Sequence, residues 1–264
     1  MKFLIQHNLV AVEKLEKTRI AVQPYPHEFV GLIPFSHEFT SDEPIVGNDY
    51  IPYGSTLMTT LALEHKWKGL CFDLENFSMR RAFVNRSDML NTGLVLTAYE
   101  AEKYLRTVFP EQDTFIRPDL DLKHFSGQVM NRLECADWLN DAMSLPPESG
   151  SYAIDPNMLV CLSEPKNIQA EFRWFVVGGK VISGSMYRAH GQMRKERIDR
   201  DDEIAEAQSF ADGWLPHVNC VMDLALVNDR LYVIEFNCIN SSGFYDHDVG
   251  AIFKALWDYN EGKK

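Results

Sequence analysis

Apolar positions recur along this chain at two spacings, and each spacing marks a kind of element. In STLMTTLALEHKW, Leu57, Leu61 and Ala62 or Leu63 fall at helical spacing, while the preceding YIPYGS supplies a Pro-Gly break and Ser55 as an N-cap. TAYEAEKYLRTVFP predicts another helix, with Thr97 and Glu100 at capping-box spacing and Pro110 as its stop. DDEIAEAQSFADGW predicts an acidic amphipathic helix on Ile204, Ala207 or Gln208, and Ala211; Val249, Ile252, Phe253, Leu256 and Trp257 mark a C-terminal one. Strand-like runs lie between them: EFVGLIPF and GLCFD early in the chain, then DTFIRP, NMLVCLS and EFRWFVVGG. Gly178-Gly179 turns the last of these into KVISGSMYR, a strong hairpin signal, and CVMDLALVNDRLYVIEFN reads as a final hairpin. The pattern predicts an α+β protein: antiparallel strands with helices packed against them, preceded by a small α/β unit. The boundary is expected near residue 92, giving a unit over 1–92 and a larger domain over 93–264.

Composition narrows the function classes. The 264 residues are 45% apolar and 24% charged, ordinary for a globular protein of one large or two modest domains. A formal charge of −12 argues against coating a nucleic-acid backbone, although a local basic pocket stays open. Five cysteines, an odd number without a CxxC pair, indicate neither a disulfide framework nor a zinc knuckle. The histidines show no HxH or HExxH spacing. The N-terminal MKFLIQHNLVAVEKLEKTRIAV breaks its apolar run with Gln6, His7 and Asn8, which fits neither a signal peptide nor a membrane span. A cytoplasmic protein with reduced thiols is expected, so the acceptor patterns at Asn76, Asn85 and Asn240 should stay unglycosylated.

Candidate chemistry begins in VIEFNCINSSGFYDHD. Side chains alternate along a strand, so Glu235 and Asn237 share a face while Ile234 and Phe236 point to the other. A three-residue turn at NDR would set Asp223 opposite Glu235, whereas a two-residue turn at Asn228-Asp229 would set it opposite Ile234. A shared carboxylate site therefore demands an odd loop length or a bulge. Carboxylate and amide oxygens converging on one point suit a hard cation such as Mg²⁺, with waters and phosphates completing its shell. The alternative is a polar strand end facing solvent. Upstream, FIRPDLDLKHFSG offers Arg117 and Lys123, and EFRWFVV places Glu171 and Arg173 on one face of an otherwise apolar strand. That face either meets solvent or holds partners for both charges. Arg188 ends the next strand, and MRKER after it reads as a solvated loop or a substrate lid. Cations for a polyphosphate and acids for its Mg²⁺ are what a nucleoside triphosphate site requires. No GxxxxGK[ST], GxGxxG, HRD or DFG motif is present, so side chains from several strands must hold the phosphates.

The order FIRP…K.FSG, LVCLSEPK…EFRWFVVGGKVISGSMYR and D-x11-E-F-N resembles the ATP-grasp superfamily, specifically its divergent clade with two arginines and a lysine in the nucleotide site. The resemblance covers about residues 95–258 and implies a nucleotide held between two subdomains. It implies that Arg117, Lys123 and Arg173 contact ATP phosphates, that Cys161, Leu162, Ser163 and Glu164 form the hinge around adenine, and that Glu171 lies near the ribose. Asp223, Glu235 and Asn237 would bind Mg²⁺, and the YIPYGS unit resembles the small domain that commonly precedes an ATP-grasp domain. The implied activity is carboxylate–amine ligation through an acylphosphate, on a peptide, protein or small-molecule carboxylate, with Arg173 and Arg188 as the catalytic cations. Another branch of the clade acts as an ATP-dependent assembly chaperone, so a binding protein without ligation is the alternative. The nucleotidyl-lysine route of RNA ligases is disfavoured, since no KxDG occurs.

Overall fold

The computed structural model describes residues 1–262 except 35, 41–44, 108–111, 122–123, 147–148 and 151–152. It divides into two compact units, Met1–Asn76 with Ile168–Lys264, and Phe77–Asn167.

The first unit opens with β1 (Lys2–Gln6), α1 (Val12–Val22), β2 (His27–Val30), β3 (Tyr50–Tyr53) and α2 (Thr56–Glu64). The three strands form a parallel sheet with β1 in the centre. Phe3, Leu4 and Ile5 are all buried, because a parallel strand covered on both faces needs a continuous apolar run, not alternation. GLCFD, expected to be strand-like, forms no strand. Its backbone is held instead by single hydrogen bonds, Gly69 N–H donating to the Tyr50 carbonyl (2.9 Å) and Cys71 N–H to Asn240 Oδ1 (2.8 Å).

The second unit contains α3 (Met79–Asn85), β4 (Leu94–Thr97), α4 (Ala98–Thr107), β5 (Asp113–Pro118), β6 (Gln128–Asn131), α5 (Arg132–Ser144) and β7 (Leu159–Ser163). Its antiparallel sheet has the order β4-β7-β5-β6. Ala98, Ala101 and Leu105 of α4 and Cys135, Ala136 and Leu139 of α5 pack against Ile116, Val160 and Leu162 of the sheet. The capping box forms as expected: Thr97 N–H donates to Glu100 Oε2 (2.9 Å) and Glu100 N–H to Thr97 Oγ1 (3.2 Å). Pro110 lies outside the described residues.

The chain then returns to the first unit with β8 (Ala170–Val177), β9 (Lys180–Ala189), β10 (Gln192–Ile198), α6 (Asp201–Ala211), β11 (Cys220–Val227), β12 (Arg230–Asn237) and α7 (Val249–Asn260). These five strands form an antiparallel sheet in the order β10-β9-β8-β11-β12. Each hairpin turns on a pair of residues with positive φ: Gly178-Gly179, His190-Gly191 and Asn228-Asp229. Such turns match the twist of the strands they join. MRKER is therefore not a loop. It belongs to the exposed edge strand β10, where charged side chains discourage pairing with another chain.

The apolar stripe of α7 seals the unit. Val249, Ile252, Phe253 and Leu256 share one core with Phe175, Val177 and Val221 of the five-stranded sheet and with Phe3, Ile5, Ile51 and Tyr53 of the parallel sheet. Residues 1–76 thus compact with 168–264, across the sequence boundary expected near 92. All five cysteines are buried thiols outside any disulfide. Among the described residues, no helix is long and apolar enough to cross a membrane.

Two features of this core lead to measurements. Gly184 faces Trp174 across β9 and β8, where an added Cβ would come within 2.2 Å of the indole. Gly184→Ala should lower unfolding free energy in urea by ~1–3 kcal/mol through overpacking. His247 is buried, with Nδ1 3.1 Å from Ser183 Oγ, its ring against Phe175, and no hydrogen-bond partner for Nε2 among the described residues. Burial, aided by Arg173, Arg197 and Lys17, pushes its pKa from 6.5 down to about 3. The unfolded chain takes up this proton below pH 6.5 and the native fold does not until about pH 3, so stability is full above 6.5 and falls across that window. His247→Gln should remove that fall between about pH 6.5 and 5, where ordinary carboxylates are still ionised.

Candidate functional site

The five-stranded sheet brings the chemistry together by register. Arg173 on β8 lies between Ser185 of β9 and Asp223 of β11, and Asp223 lies opposite Glu235 of β12. The turn between β11 and β12 is the two-residue form, with Val227 paired to Arg230. Left uncorrected, that register would set Asp223 opposite Ile234. A bulge intervenes: Leu224 pairs with Val233 but Asp223 with Glu235, leaving Ile234 as the extra residue. This meets the condition that the sequence imposed on a shared carboxylate site. A second bulge leaves Tyr187 unpaired on β9, since Glu171 pairs with Arg188 and Phe172 with Met186.

Around this row the hydrogen bonds are directional and mostly buried. Arg173 grips Asp223 with both forks, Nε to Oδ1 at 2.9 Å and Nη2 to Oδ2 at 2.7 Å, and its Nη1 donates to the Gly243 carbonyl at 3.4 Å. Asn237 Nδ2 donates to Asp223 Oδ2 and to Glu235 Oε1, both at 3.1 Å, so the amide spaces the two carboxylates. Arg173, Asp223 and Asn237 are buried, and Glu235 is half-buried. Arg173 also lies over Tyr187 and Tyr245, 5.7 and 5.2 Å from their ring centroids, and those rings stack on each other at 4.7 Å. The Tyr187 hydroxyl donates to Glu171 Oε2 at 2.6 Å, and the exposed Arg188 reaches Glu171 Oε1 at 3.3 Å.

Burial pushes the Asp223 carboxyl above its ordinary value against the pull of Arg173, and the charges of Glu235 and Glu171 add to the rise. Burial opposes the Arg173 charge too, yet Asp223 holds the guanidinium protonated above its usual range. The same burial keeps Tyr187 a neutral hydroxyl donor.

Two carboxylates and a primary amide form an oxygen-rich donor set that fits a hard divalent cation. Asp223 is already committed to Arg173, so a cation here would share that carboxylate with the guanidinium. Among the described residues, no group of three or more His, Cys, Asp or Glu side chains forms a metal centre.

The other expected residues belong to the second unit. Arg117 on β5 is buried, pairs in register with Cys161 of β7, and donates from Nε to the Pro118 carbonyl at 3.3 Å. Burial lifts the Cys161 thiol to about 12, and its Sγ lies 3.9 Å from Asp119 Oδ1. The Leu162 side chain joins the core under α4 and α5, which leaves its backbone as its contribution to any site on the opposite face. Ser163 ends β7 half-buried, and Glu164 follows it, exposed. Lys123 lies outside the described residues. Sequence reasoning missed Tyr187, Tyr245 and the buried Asp119. Each depends on a bulge or a loop, and no periodicity marks them.

A family model described as the ATP-grasp domain, R2K clade family 2, matches residues 100–255. No curated protein matches the sequence. Among solved structures, the D-cycloserine synthetase DcsG aligns over 100% of both chains with a TM-score of 0.58 at 11% identity. A RimK domain ATP-grasp protein from Sphaerobacter thermophilus aligns over 97% of this chain and 100% of its own, with a TM-score of 0.58 at 13% identity. The ATP-grasp ligase PsnB, complexed with a minimal precursor, aligns over 97% of this chain and 98% of its own, with a TM-score of 0.54 at 14% identity. At such identities these likenesses show the fold, and the family match extends over more than half of the chain. The protein belongs to the ATP-grasp domain, R2K clade family 2.

Proposed function

We propose that this protein is an ATP- and Mg²⁺-dependent ligase that joins a carboxylate to an amine, with a peptide or protein as the substrate. The observation that carries the reading is the bulge that aligns Asp223 with Glu235 beside Arg173. A fold needing only a polar strand end would have no use for that correction. The peptide preference is supported by PsnB, whose structures include complexes with a precursor peptide.

Arg173, Arg117 and Lys123 would bind the ATP phosphates, Cys161 to Glu164 the adenine, and Glu171 the ribose. Asp223, Glu235 and Asn237 would hold Mg²⁺, which when bound neutralises charge on the phosphoryl oxygens. In the first step a substrate carboxylate oxygen attacks the γ-phosphorus, the bond to the β-phosphate oxygen breaks, and ADP leaves. In the second, the amine nitrogen attacks the acyl carbon, phosphate departs with the C–O electron pair, and the nitrogen gives up a proton. The protein supplies position and charge, not a nucleophile. Arg173 is preorganised because Asp223, Gly243 and the tyrosine pair fix its plane before substrate arrives. Arg188, exposed and only weakly tied to Glu171, is free to swing toward the acylphosphate or the incoming carboxylate.

The first test is thermal stability with Mg²⁺–ATP. Nucleotide at ~100 times its dissociation constant should stabilise the wild type by about 2.7 kcal/mol. Glu235→Ala should fold normally and lose that shift. Arg173→Ala should lose it too, and should also lower the stability of the free protein by ~3–5 kcal/mol, since Asp223 is left buried without its cation. A wild type that does not respond to saturating Mg²⁺–ATP overturns the nucleotide reading. ADP release that depends on a peptide acceptor supports ligation, while ATP-dependent partner capture without ADP or phosphate points to a chaperone. Arg188→Ala should keep the thermal shift and lose acceptor-dependent ADP release.

A further inference from the structure

Between Asn237, which ends β12, and Val249, which opens α7, the chain runs outside helix and strand across the face that carries Arg173. Such a segment must find donors for its carbonyls beyond its own backbone. Side chains from four other elements supply them. Lys14 of α1 donates to the Ser241 carbonyl at 3.3 Å, the Tyr53 hydroxyl of β3 to Ser242 at 2.5 Å, and Arg173 of β8 to Gly243 at 3.4 Å. Lys17 of α1 donates to the Tyr245 carbonyl at 3.1 Å, and Arg197 Nη2 of β10 to that of His247 at 3.1 Å. Ser185 Oγ of β9 accepts from Asp246 N–H at 3.3 Å.

Register explains why the anchors converge. Arg197 pairs with Ser185 and Ser185 with Arg173, so the three belong to one row and share the face that the segment crosses. Water could satisfy an outlying carbonyl without restraining a long side chain, whereas a lysine or arginine held there gives up rotamer freedom. The restraint secures the middle of the segment. There the Gly243 carbonyl and the Tyr245 ring both meet Arg173, and Lys17 holds Tyr245 by its own carbonyl. A shift of the segment would carry away two of the contacts that fix the guanidinium.

We propose that Lys17 and Arg197 are positioning residues: they hold residues 241–247 against the five-stranded sheet, so that Arg173 keeps the plane in which it meets the nucleotide. This rests on the role given to Arg173 above. It also gives α1, from the N-terminal stretch that the sequence sets apart, a part in the site.

Lys17→Met and Arg197→Met each remove a donor and keep an apolar stem. Each should weaken Mg²⁺–ATP binding in a calorimetric titration ~10-fold, as the loss of one charge-assisted hydrogen bond implies. Because both act through one segment, the double variant should bind about as weakly as the weaker single variant, whereas independent losses would multiply. Lys17→Arg and Arg197→Lys can still reach a carbonyl and should recover most of the affinity; they carry the test if a methionine variant does not fold. Lys195→Gln, which removes a neighbouring cation paired with Glu13, should bind as the wild type does. A readout without nucleotide is the Arg173 Nε–H resonance of isotope-labelled protein, identified by its loss in Arg173→Lys. It should exchange with water faster in both methionine variants than in the wild type or Lys195→Gln. Wild-type affinity and exchange in both methionine variants, multiplying losses in the double variant, or an equal loss in Lys195→Gln would each overturn the proposal. If the wild type does not bind Mg²⁺–ATP, the ligase reading fails, while Arg173 exchange still decides whether Lys17 and Arg197 position it.

Discussion

The buried ion pair between Arg173 and Asp223 is the constraint around which the larger unit is organised. Both residues sit in interior strands of a five-stranded sheet, flanked along the chain by Phe172 and Trp174 and by Met222 and Leu224. An isolated charge there would be prohibitive, and even a pair recovers its desolvation cost only when the geometry is bidentate and the remaining polar atoms are satisfied. Here the fork is complete, Asn237 caps the second carboxylate oxygen, and the third guanidinium nitrogen reaches a backbone carbonyl. A hydrophobic pair of similar volume would serve folding as well, so the charges argue for work beyond stability.

Bulges reconcile the fold with that site. Two-residue turns with positive φ give the hairpins their twist, but they also dictate register from the turn outward. With that register alone, the β11–β12 hairpin would separate the two carboxylates onto opposite faces. The extra residue Ile234 shifts the pairing by one beyond the turn, and Tyr187 does the same on β9, where the shift aims its hydroxyl at Glu171. The turns thus serve the sheet, and the irregularities serve the site.

Charge is concentrated along the row. Asp223 is paired with the buried Arg173 guanidinium, and Glu171 with the exposed Arg188. Burial first, and then the charges of Glu235 and Glu171, raise the Asp223 carboxyl against the pull of Arg173.

Much of this was legible in the chain. Capping residues predicted α4, glycine pairs predicted the β8–β9 turn, and alternation placed Glu235 and Asn237 on one face. The need for either a longer turn or a bulge followed from counting residues. Elsewhere local pattern was silent or misleading: KFLIQ lacks alternation because β1 is covered on both faces, and MRKER reads as a loop because a charged edge strand buries nothing. Tyr187, Tyr245 and Asp119 acquire meaning only from partners far along the chain. The sequence by itself determined the family, the main hairpins and the types of residue that carry the chemistry, because those depend on local spacing. Tertiary structure alone decided which alternative register was taken, that Arg173 is spent on Asp223, and that α7 binds the N-terminal sheet to the C-terminal one. Those choices rest on contacts between segments distant in sequence, whose free energies no local periodicity encodes.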